Sequence, residues 1–280
     1  MTGQHTPRSL IVSYYGAYGR GSADRPAGPV PIAALIRLMG AVGVDPPSVR
    51  SAVSRLKRRG LLVADRTADG SAGYSLSADA RQLLDDGDRR IYAGPDADTG
   101  RGWLLAVFSV PEQERHKRHL LRSRLSRLGF GTAAPGVWIA PDQLYDETRH
   151  TLQRLGLAPY VDLFRGAHAG FTPTAEAVRR WWDLDELAAR HRAFLADHEP
   201  VLHRWSERGP SPEDAEDAYR DHLLALDSWR LLPYADPGLP AALLPEDWPG
   251  VRAAEVFARL DGLLRETGAG YAEAALVGVA

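Results

Sequence analysis

The chain has 280 residues, 44% of them hydrophobic and 25% charged, a length that suits two or three domains. This composition is typical of folded globular proteins and excludes a disordered or fibrous chain. The absence of cysteine excludes disulfides, thiolate nucleophiles and cysteine-ligated metal centres, and favours a reducing compartment. Because neither a signal core nor about 18 consecutive apolar residues occurs, we expect a cytoplasmic protein with no membrane partner.

Charge is distributed unevenly along the chain, although the net charge is only −2. Residues 1–90 hold 13 Lys and Arg against 8 Asp and Glu, whereas residues 176–280 hold 11 against 20. A basic front and an acidic back indicate that any polyanion is met by the N-terminal segment. Only two of the 34 basic residues are lysine, which suits bidentate contact with phosphate or guanine but also follows from high-GC codon usage.

Three helices are predicted in the first segment. The first covers about Arg8 to Tyr18, and the second contains apolar residues at helical spacing: Ile32, Leu35, Ile36, Met39 and Val42. In the third, Asp45 can cap the free amides, Pro46 fits the first helical position, and Gly60 can end the helix. The short turn between the second and third helices is typical of a helix-turn-helix.

The third helix has an apolar face and a cationic face. Its apolar positions are Val49, Ala52, Val53 and Leu56. The rest of its surface has no acidic residue and consists of Ser48, Arg50, Ser51, Ser54, Arg55, Lys57, Arg58 and Arg59. Because charges of one sign repel unless a polyanion lies opposite, we predict that this helix contacts the major groove of double-stranded DNA. Arginine can read guanine, and short serines allow close approach to phosphates and base edges.

A hairpin is predicted directly after the third helix. Two short strands, LLVADR and GYSLS, flank the turn TADGSA. This hairpin would be the wing of a winged helix, with Arg66 reaching a phosphate or the minor groove. Ser77 is expected to cap the next helix. A winged helix that binds another protein stays an alternative, because the fold serves both uses.

The middle segment predicts a ferredoxin-like α/β sandwich in the order β-α-β-(β)-α-β, with one strand in FGTAAP. Leu121, Leu125 and Leu128 form the buried seam of its first helix. The same helix carries a stripe of Arg115, Arg118 and Arg122, which is either a phosphate or CoA contact or, more simply, a solvated surface. His116 and His119 stand three residues apart without a recognisable third ligand, so no metal is predicted.

The last segment, from Thr174, is acidic and predicted to be helical. Ser211 and the proline and acids that follow it are typical of a helix start. Five of the seven tryptophans lie here and favour a core or a dimer interface over the wall of a ligand pocket. They are Trp181, Trp182, Trp205, Trp229 and Trp248.

The chain resembles the PaaX-type family, the transcriptional repressors of phenylacetate catabolism. The resemblance rests on SLIVSYYGAYGR, VPIAALIRLMGAVGVDPPSVRSAVSRLKRRGLL and GYSLS, and continues through GWLLAVFSVPEQERHKRHLLRSRLSRLGFGTAAPGVWIAP and DPGLPAALLPEDWPG. It implies an α+β protein with a winged helix-turn-helix at 1–92, a ferredoxin-like domain at 100–173 and a helical domain at 174–280. It also implies a homodimer that leaves its operator on binding phenylacetyl-CoA or another acyl-CoA.

A nuclease is the enzymatic alternative, because the central fold also resembles CRISPR-associated endonuclease-like domains. Metal-dependent cleavage needs carboxylates gathered around the ion. The first strand ends in Phe108, Ser109 and Val110, where such a nuclease would carry an aspartate. No G-x-S-x-G, H-E-x-x-H or Walker lysine is present. The sequence therefore predicts a DNA-binding regulator that uses no cofactor and is not an enzyme.

Overall fold

The structure, a computed structural model, describes residues 5–22, 25–26, 28–67, 70–92, 102–236 and 238–277. The chain divides into two compact units. Unit 1 consists of Met1–Tyr92, Phe194–Arg230 and Arg252–Ala280, and unit 2 consists of Ala93–Ala193 and Leu231–Val251.

The N-terminal part of unit 1 combines short helices with small antiparallel sheets. Its helices are α1 (Pro7–Ala17), α2 (Ile32–Gly40), α3 (Pro46–Arg58) and α4 (Ala78–Ile91). Its strands are β1 (Gly21–Ser22), β2 (Arg25–Pro26), β3 (Val30–Pro31), β4 (Leu62–Arg66) and β5 (Ala72–Leu76). The sheet order β3-β5-β4 includes the predicted hairpin of β4 and β5. The strands β1 to β3 were not predicted, because two-residue strands carry no periodic signal.

The C-terminal helices of unit 1 complete the core of the N-terminal part. These helices are α8 (Leu184–Arg208), α9 (Ala215–Trp229) and α11 (Gly250–Val277), and the first residues of α8 and α11 belong to unit 2. Tyr219 and Leu223 of α9 are fully buried in one hydrophobic cluster with Leu10 and Tyr14 of α1. Ala272 of α11 joins the same cluster. Burial of these large side chains against α1 stabilises the helix that supports α3.

A buried carboxylate also joins α1 to α9. The Oδ1 atom of Asp227 accepts hydrogen bonds from Ser9 Oγ (2.6 Å) and Ser13 Oγ (2.7 Å), and Oδ2 lies 2.8 Å from His5 Nδ1. Burial alone would raise the pKa of Asp227, but the His5 hydrogen bond, the Arg230 charge and the serine hydroxyls together lower it. The carboxylate therefore stays ionised inside the unit and fixes α1.

Unit 2 is a ferredoxin-like sandwich, as the sequence predicted. Its elements are β6 (Trp103–Phe108), α5 (Arg115–Arg127), β7 (Gly131–Ala134), β8 (Val137–Pro141), α6 (Tyr145–Arg154), β9 (Val161–Gly166), α7 (Thr174–Trp181) and α10 (Leu232–Ala235). The sheet order is β7-β8-β6-β9 with every pair antiparallel. Leu121 and Leu125 of α5 are fully buried and Leu128 nearly so, which confirms the predicted seam.

Candidate nucleic-acid interface

The ends of α3 are fixed by the residues that the sequence indicated. The Asp45 side chain accepts a hydrogen bond from the Ser48 backbone N–H at 2.9 Å, and Pro46 occupies the first helical position. Hydrogen bonds from the side chain and the backbone of Ser48 lower the pKa of Asp45. Gly60 follows the helix with φ +70°, a left-handed conformation that other residues rarely adopt. The predicted bounds of the helix are confirmed.

A tight turn sets α3 against α2. In this turn Gly43 has φ +79° and the Val44 N–H donates to the Met39 carbonyl at 3.0 Å. The inner side of α3 is formed by the four predicted apolar residues, each at most 2% exposed: Val49, Ala52, Val53 and Leu56. Packing of this stripe into the core of unit 1 dictates which residues of α3 face outward.

The outward face of α3 carries the predicted candidate residues. Ser48 is half-buried, and the remaining seven are exposed: Arg50, Ser51, Ser54, Arg55, Lys57, Arg58 and Arg59. Arg55 donates to Ser51 Oγ at 2.8 Å, which holds its guanidinium along the helix. Five of these residues are cations: Arg50, Arg55, Lys57, Arg58 and Arg59. Throughout the described chain, no carboxylate lies within ion-pair distance of any of the five.

Several arginines elsewhere in the chain pair with a carboxylate. Arg190 pairs with Glu186 at 2.9 Å, and Arg208 pairs with Asp214 at 3.0 Å. Cations in the last turn of a helix interact favourably with the helix dipole. This interaction accounts for Arg55, Lys57 and Arg58, which lie in the last turn of α3. It does not account for Arg50, which lies in the first half of α3. The helix dipole therefore does not explain all of the positive charge on the outward face of α3.

The hairpin of β4 and β5, which was predicted to be a wing, places one more cation beside its turn. Strands β4 and β5 pair from Leu62 opposite Leu76 to Arg66 opposite Ala72. The exposed Arg66 donates to the Gly70 carbonyl at 2.8 Å, so its guanidinium is held at the turn. Residues 68–69 of the predicted turn lie outside the described residues. Ser77 caps α4 by accepting from the Ala80 N–H at 3.1 Å, as predicted.

The stripe predicted on the first helix of the middle segment is only partly free of carboxylates. Arg118 donates to the Val110 carbonyl at 2.9 Å and lies 3.4 Å from Glu112. Arg115 and Arg122 are exposed. His116 and His119 are also exposed, and no group of three potential metal ligands is found in the part of the chain that the structure describes.

Sequence reasoning missed a second buried polar group that anchors α1. The hydroxyl of Tyr18 pairs with His222 Nδ1, and His222 Nε2 lies 2.9 Å from Asp261 Oδ1. Burial raises the pKa of Tyr18, so its hydroxyl keeps the proton and donates to His222. No local pattern could have shown this group, because its members are separated by 204 and 39 residues.

Comparison with known proteins places the chain in a family. Residues 6–80 match the family model of PaaX-like proteins, 96–178 that of the PaaX central Cas2-like domain, and 182–274 that of the PaaX-like C-terminal domain. The chain belongs to the PaaX family. This PaaX-family chain is 27% identical over 252 residues to the transcriptional repressor PaaX of Escherichia coli (strain K12), which covers 89% of the chain and 77% of that protein.

A solved structure shares the fold of this PaaX-family chain. It is the uncharacterized protein Rv0674 from Mycobacterium tuberculosis, with a TM-score of 0.55 and 20% identity. The similarity covers 98% of the chain and 99% of the solved one. None of the described helices is both long and apolar enough to cross a membrane.

Unit 2 of this PaaX-family chain also contains an open cavity of about 630 Å³ where α7 meets α8. Trp181, Trp182 and Trp248 are among its lining residues. Three arginines and three aspartates also line it: Arg179, Arg180, Arg192, Asp183, Asp185 and Asp247. Trp182 is buried, whereas Trp181 and Trp248 are half-buried. The tryptophans of the last segment thus serve both the core and a pocket wall.

Proposed function

We propose that this chain is a DNA-binding transcriptional repressor that places α3 in the major groove of its operator. The observation that carries the proposal is the outward face of α3, where five cations occur beside Ser51 and Ser54 with no carboxylate of the described chain within ion-pair distance of the cations. A duplex supplies the missing counter-charge as phosphates. The Escherichia coli relative is a transcriptional repressor, which supports the same interpretation.

We propose different roles for the residues of α3 according to their positions around the helix. With 100° between successive residues, Ser51, Ser54 and Arg58 lie opposite the buried stripe and would face the floor of the groove. Arg50 and Lys57 lie toward one edge of the face, and Arg55 and Arg59 lie toward the other. We assign the central residues to base edges and the lateral residues, with Arg66 of the wing, to phosphates.

Two single substitutions test this assignment. We expect Arg58→Ala to weaken binding to the selected operator by about 1–3 kcal/mol and to weaken non-specific binding less, because a base contact is lost. We expect Arg55→Ala to weaken both kinds of binding and to lower the salt dependence by about 0.9 log units per log unit of salt.

The measurement is fluorescence anisotropy with a duplex selected in vitro by the wild-type protein and with an unrelated duplex. Arg190→Ala is the matched control, since Arg190 is exposed but pairs with Glu186. Unchanged operator binding by both α3 variants would refute the assignment of α3 to the groove.

The repressor would work as a homodimer. Two copies of α3 about 34–36 Å apart would read half-sites one helical turn apart on a roughly palindromic operator. This spacing makes a protected footprint with twofold symmetry the expected pattern for the wild-type protein.

A small-molecule effector would release the repressor, and the cavity at the α7–α8 junction is our candidate for its site. The tryptophans offer flat apolar surface for an acyl group, and the exposed Arg179 offers positive charge for an anionic group, whereas Arg192 already lies 3.7 Å from Asp247. The volume lies within the range of ligand pockets. Among effectors, an acyl-CoA with phenylacetyl-CoA as one member fits the family resemblance. Coupling of about 1–3 kcal/mol would change operator affinity about 5- to 150-fold.

The effector proposal is tested by a thermal-shift screen of acyl-CoAs and free acids. A true effector should raise the melting temperature of the free protein and weaken its binding to the selected duplex. Trp248→Ala should reduce both effects if the cavity is the site, and Trp205→Phe, a change at a buried tryptophan that is not among the cavity's lining residues, is the control. Stabilisation that Trp248→Ala leaves unchanged would place the effector elsewhere.

We propose binding rather than catalysis as the activity of the chain. Ser109 directly follows β6, where a metal-dependent nuclease of this fold would need a carboxylate. Incubation with labelled duplex and Mg²⁺ or Mn²⁺ tests this point. Cleavage that persists through repurification would make the chain an enzyme.

A further inference from the structure

The outer surface of α5 in unit 2 is a second helix surface without carboxylates. The helix reads RHKRHLLRSRLSR and contains no acidic residue. Leu121 and Leu125 are fully buried against the sheet. The opposite side carries exposed cations and short polar residues: Arg115, Arg122, Ser123, Ser126 and Arg127. This is the same combination of arginine and serine that α3 presents.

The neighbouring helix α6 increases the positive charge at one end of this surface. Partial burial and the nearby guanidinium groups of Arg127 and Arg154 lower the pKa of Arg124. The Nε atom of Arg124 is buried and has no hydrogen-bond partner among the described residues. Three guanidinium groups are therefore gathered where no neighbouring carboxylate compensates them, which favours an anion from outside.

General solubility does not explain this arrangement, because other cations of unit 2 are paired. Lys117 of the same helix lies 2.6 Å from Glu114, and Arg165 of β9 lies 2.7 Å from Asp142. In the described part of unit 2, no carboxylate lies within ion-pair distance of Arg115, Arg122, Arg124, Arg127 or Arg154. We call these five residues the α5 surface.

The shape of the α5 surface indicates the kind of anion. From Arg115 to Arg127 the helix rises about 18 Å at 1.5 Å per residue. A single phosphate or carboxylate would need convergent donors, whereas a row of cations of this length suits a chain of phosphates. We propose that the α5 surface binds the phosphate backbone of duplex DNA without reading sequence. This inference rests on the proposed function and adds a second DNA contact to it.

The test compares two triple variants that remove the same charge. The first is Arg115→Gln/Arg122→Gln/Arg127→Gln, and the control is Arg190→Gln/Arg252→Gln/Arg259→Gln, whose sites are exposed on α8 and α11. Binding to a 40-base-pair duplex selected by the wild-type protein, and to an unrelated duplex, is measured from 50 to 300 mM KCl. Melting temperatures check that both variants are folded.

We expect the α5 variant to lower the slope of log affinity against log salt by up to about 3, at about 0.9 for each lost phosphate contact. The reduction should be equal on both duplexes, and the control variant should keep the wild-type slope. Equal slopes for the two variants would overturn the α5 proposal. If Arg55→Ala still weakens binding in that case, the proposed function stands without the α5 contact. A wild-type protein that selects no duplex would overturn both the proposed function and the α5 proposal.

A free anion is the other possible source of phosphate. Thermal shifts of the DNA-free protein in sodium pyrophosphate distinguish it from DNA. Stabilisation that is lost in the α5 variant, with an unchanged slope on DNA, would assign the surface to a small anion and overturn the proposal. Loss of slope without any pyrophosphate effect supports it.

Discussion

Asp227 shows how one buried side chain supports a distant interface. Its carboxylate lies in α9 but holds three side chains near the start of the chain, His5, Ser9 and Ser13. Because α1 packs beneath α3, the position of the cationic face depends on this buried charge. Charge-assisted hydrogen bonds are the stronger ones, and a buried carboxylate without partners would be strongly unfavourable.

We expect Asp227→Asn to lower the free energy of unfolding at pH 7 by about 2–4 kcal/mol. The folded-state pKa of Asp227 is depressed, so its stabilising contribution is present above the unfolded-state pKa of about 3.9 and is lost as the pH falls through the folded value. The difference between variant and wild type should therefore shrink in acid. Urea unfolding at pH 7 and at about pH 3.5 measures it.

Asp217→Asn is the matched control for this measurement. Asp217 lies on the same helix, is exposed, and pairs with Arg220 at 2.8 Å. A surface pair of this kind contributes about 0–1 kcal/mol. Equal effects of the two substitutions would mean that Asp227 does not anchor α1.

At the scale of the element, α3 could be predicted almost completely from sequence. Its cap, its first proline, its terminal glycine and its four-residue apolar stripe are all local features, and each is confirmed. The hairpin and the ferredoxin-like order were predictable for the same reason, since alternation and turn residues act over short distances. The short strand β3 escaped prediction because Val30 pairs with Tyr74, 44 residues away.

The end of α3 provides a test at this scale. Gly60→Ala should destabilise the protein by about 1–2 kcal/mol, because its φ of +70° is unfavourable for a residue with a Cβ. Gly40→Ala should be neutral or stabilise by up to about 1 kcal/mol, since Gly40 is helical and a Cβ there meets no atom within 4 Å. Thermal unfolding of both variants decides the matter, and equal melting temperatures would contradict the strained turn.

At the scale of the whole molecule, the sequence showed a basic N-terminal segment and an acidic C-terminal segment. It did not show that some of the acidic residues hold α1 in place. The acidic cluster that follows Ser211 was predicted to belong to the start of a helix. Asp227 and Asp261 instead lie among buried groups that fix α1. Side chains more than 200 residues apart meet only in the folded chain, so spacing could not show these contacts. The structure contains two compact units. The division into three domains at 1–92, 100–173 and 174–280 stays a prediction.

The absence of cysteine allows the central claim, that the outward face of α3 meets duplex DNA, to be tested at a single position. Ser54→Cys introduces the only thiol, to which an iron–EDTA chelate can be attached for local cleavage of the DNA backbone. Ser206→Cys, exposed on α8, is the control. We expect cuts confined to the selected site for position 54 and none above background for position 206. Equal cleavage from both positions, or none from position 54 on bound duplex, would contradict the account.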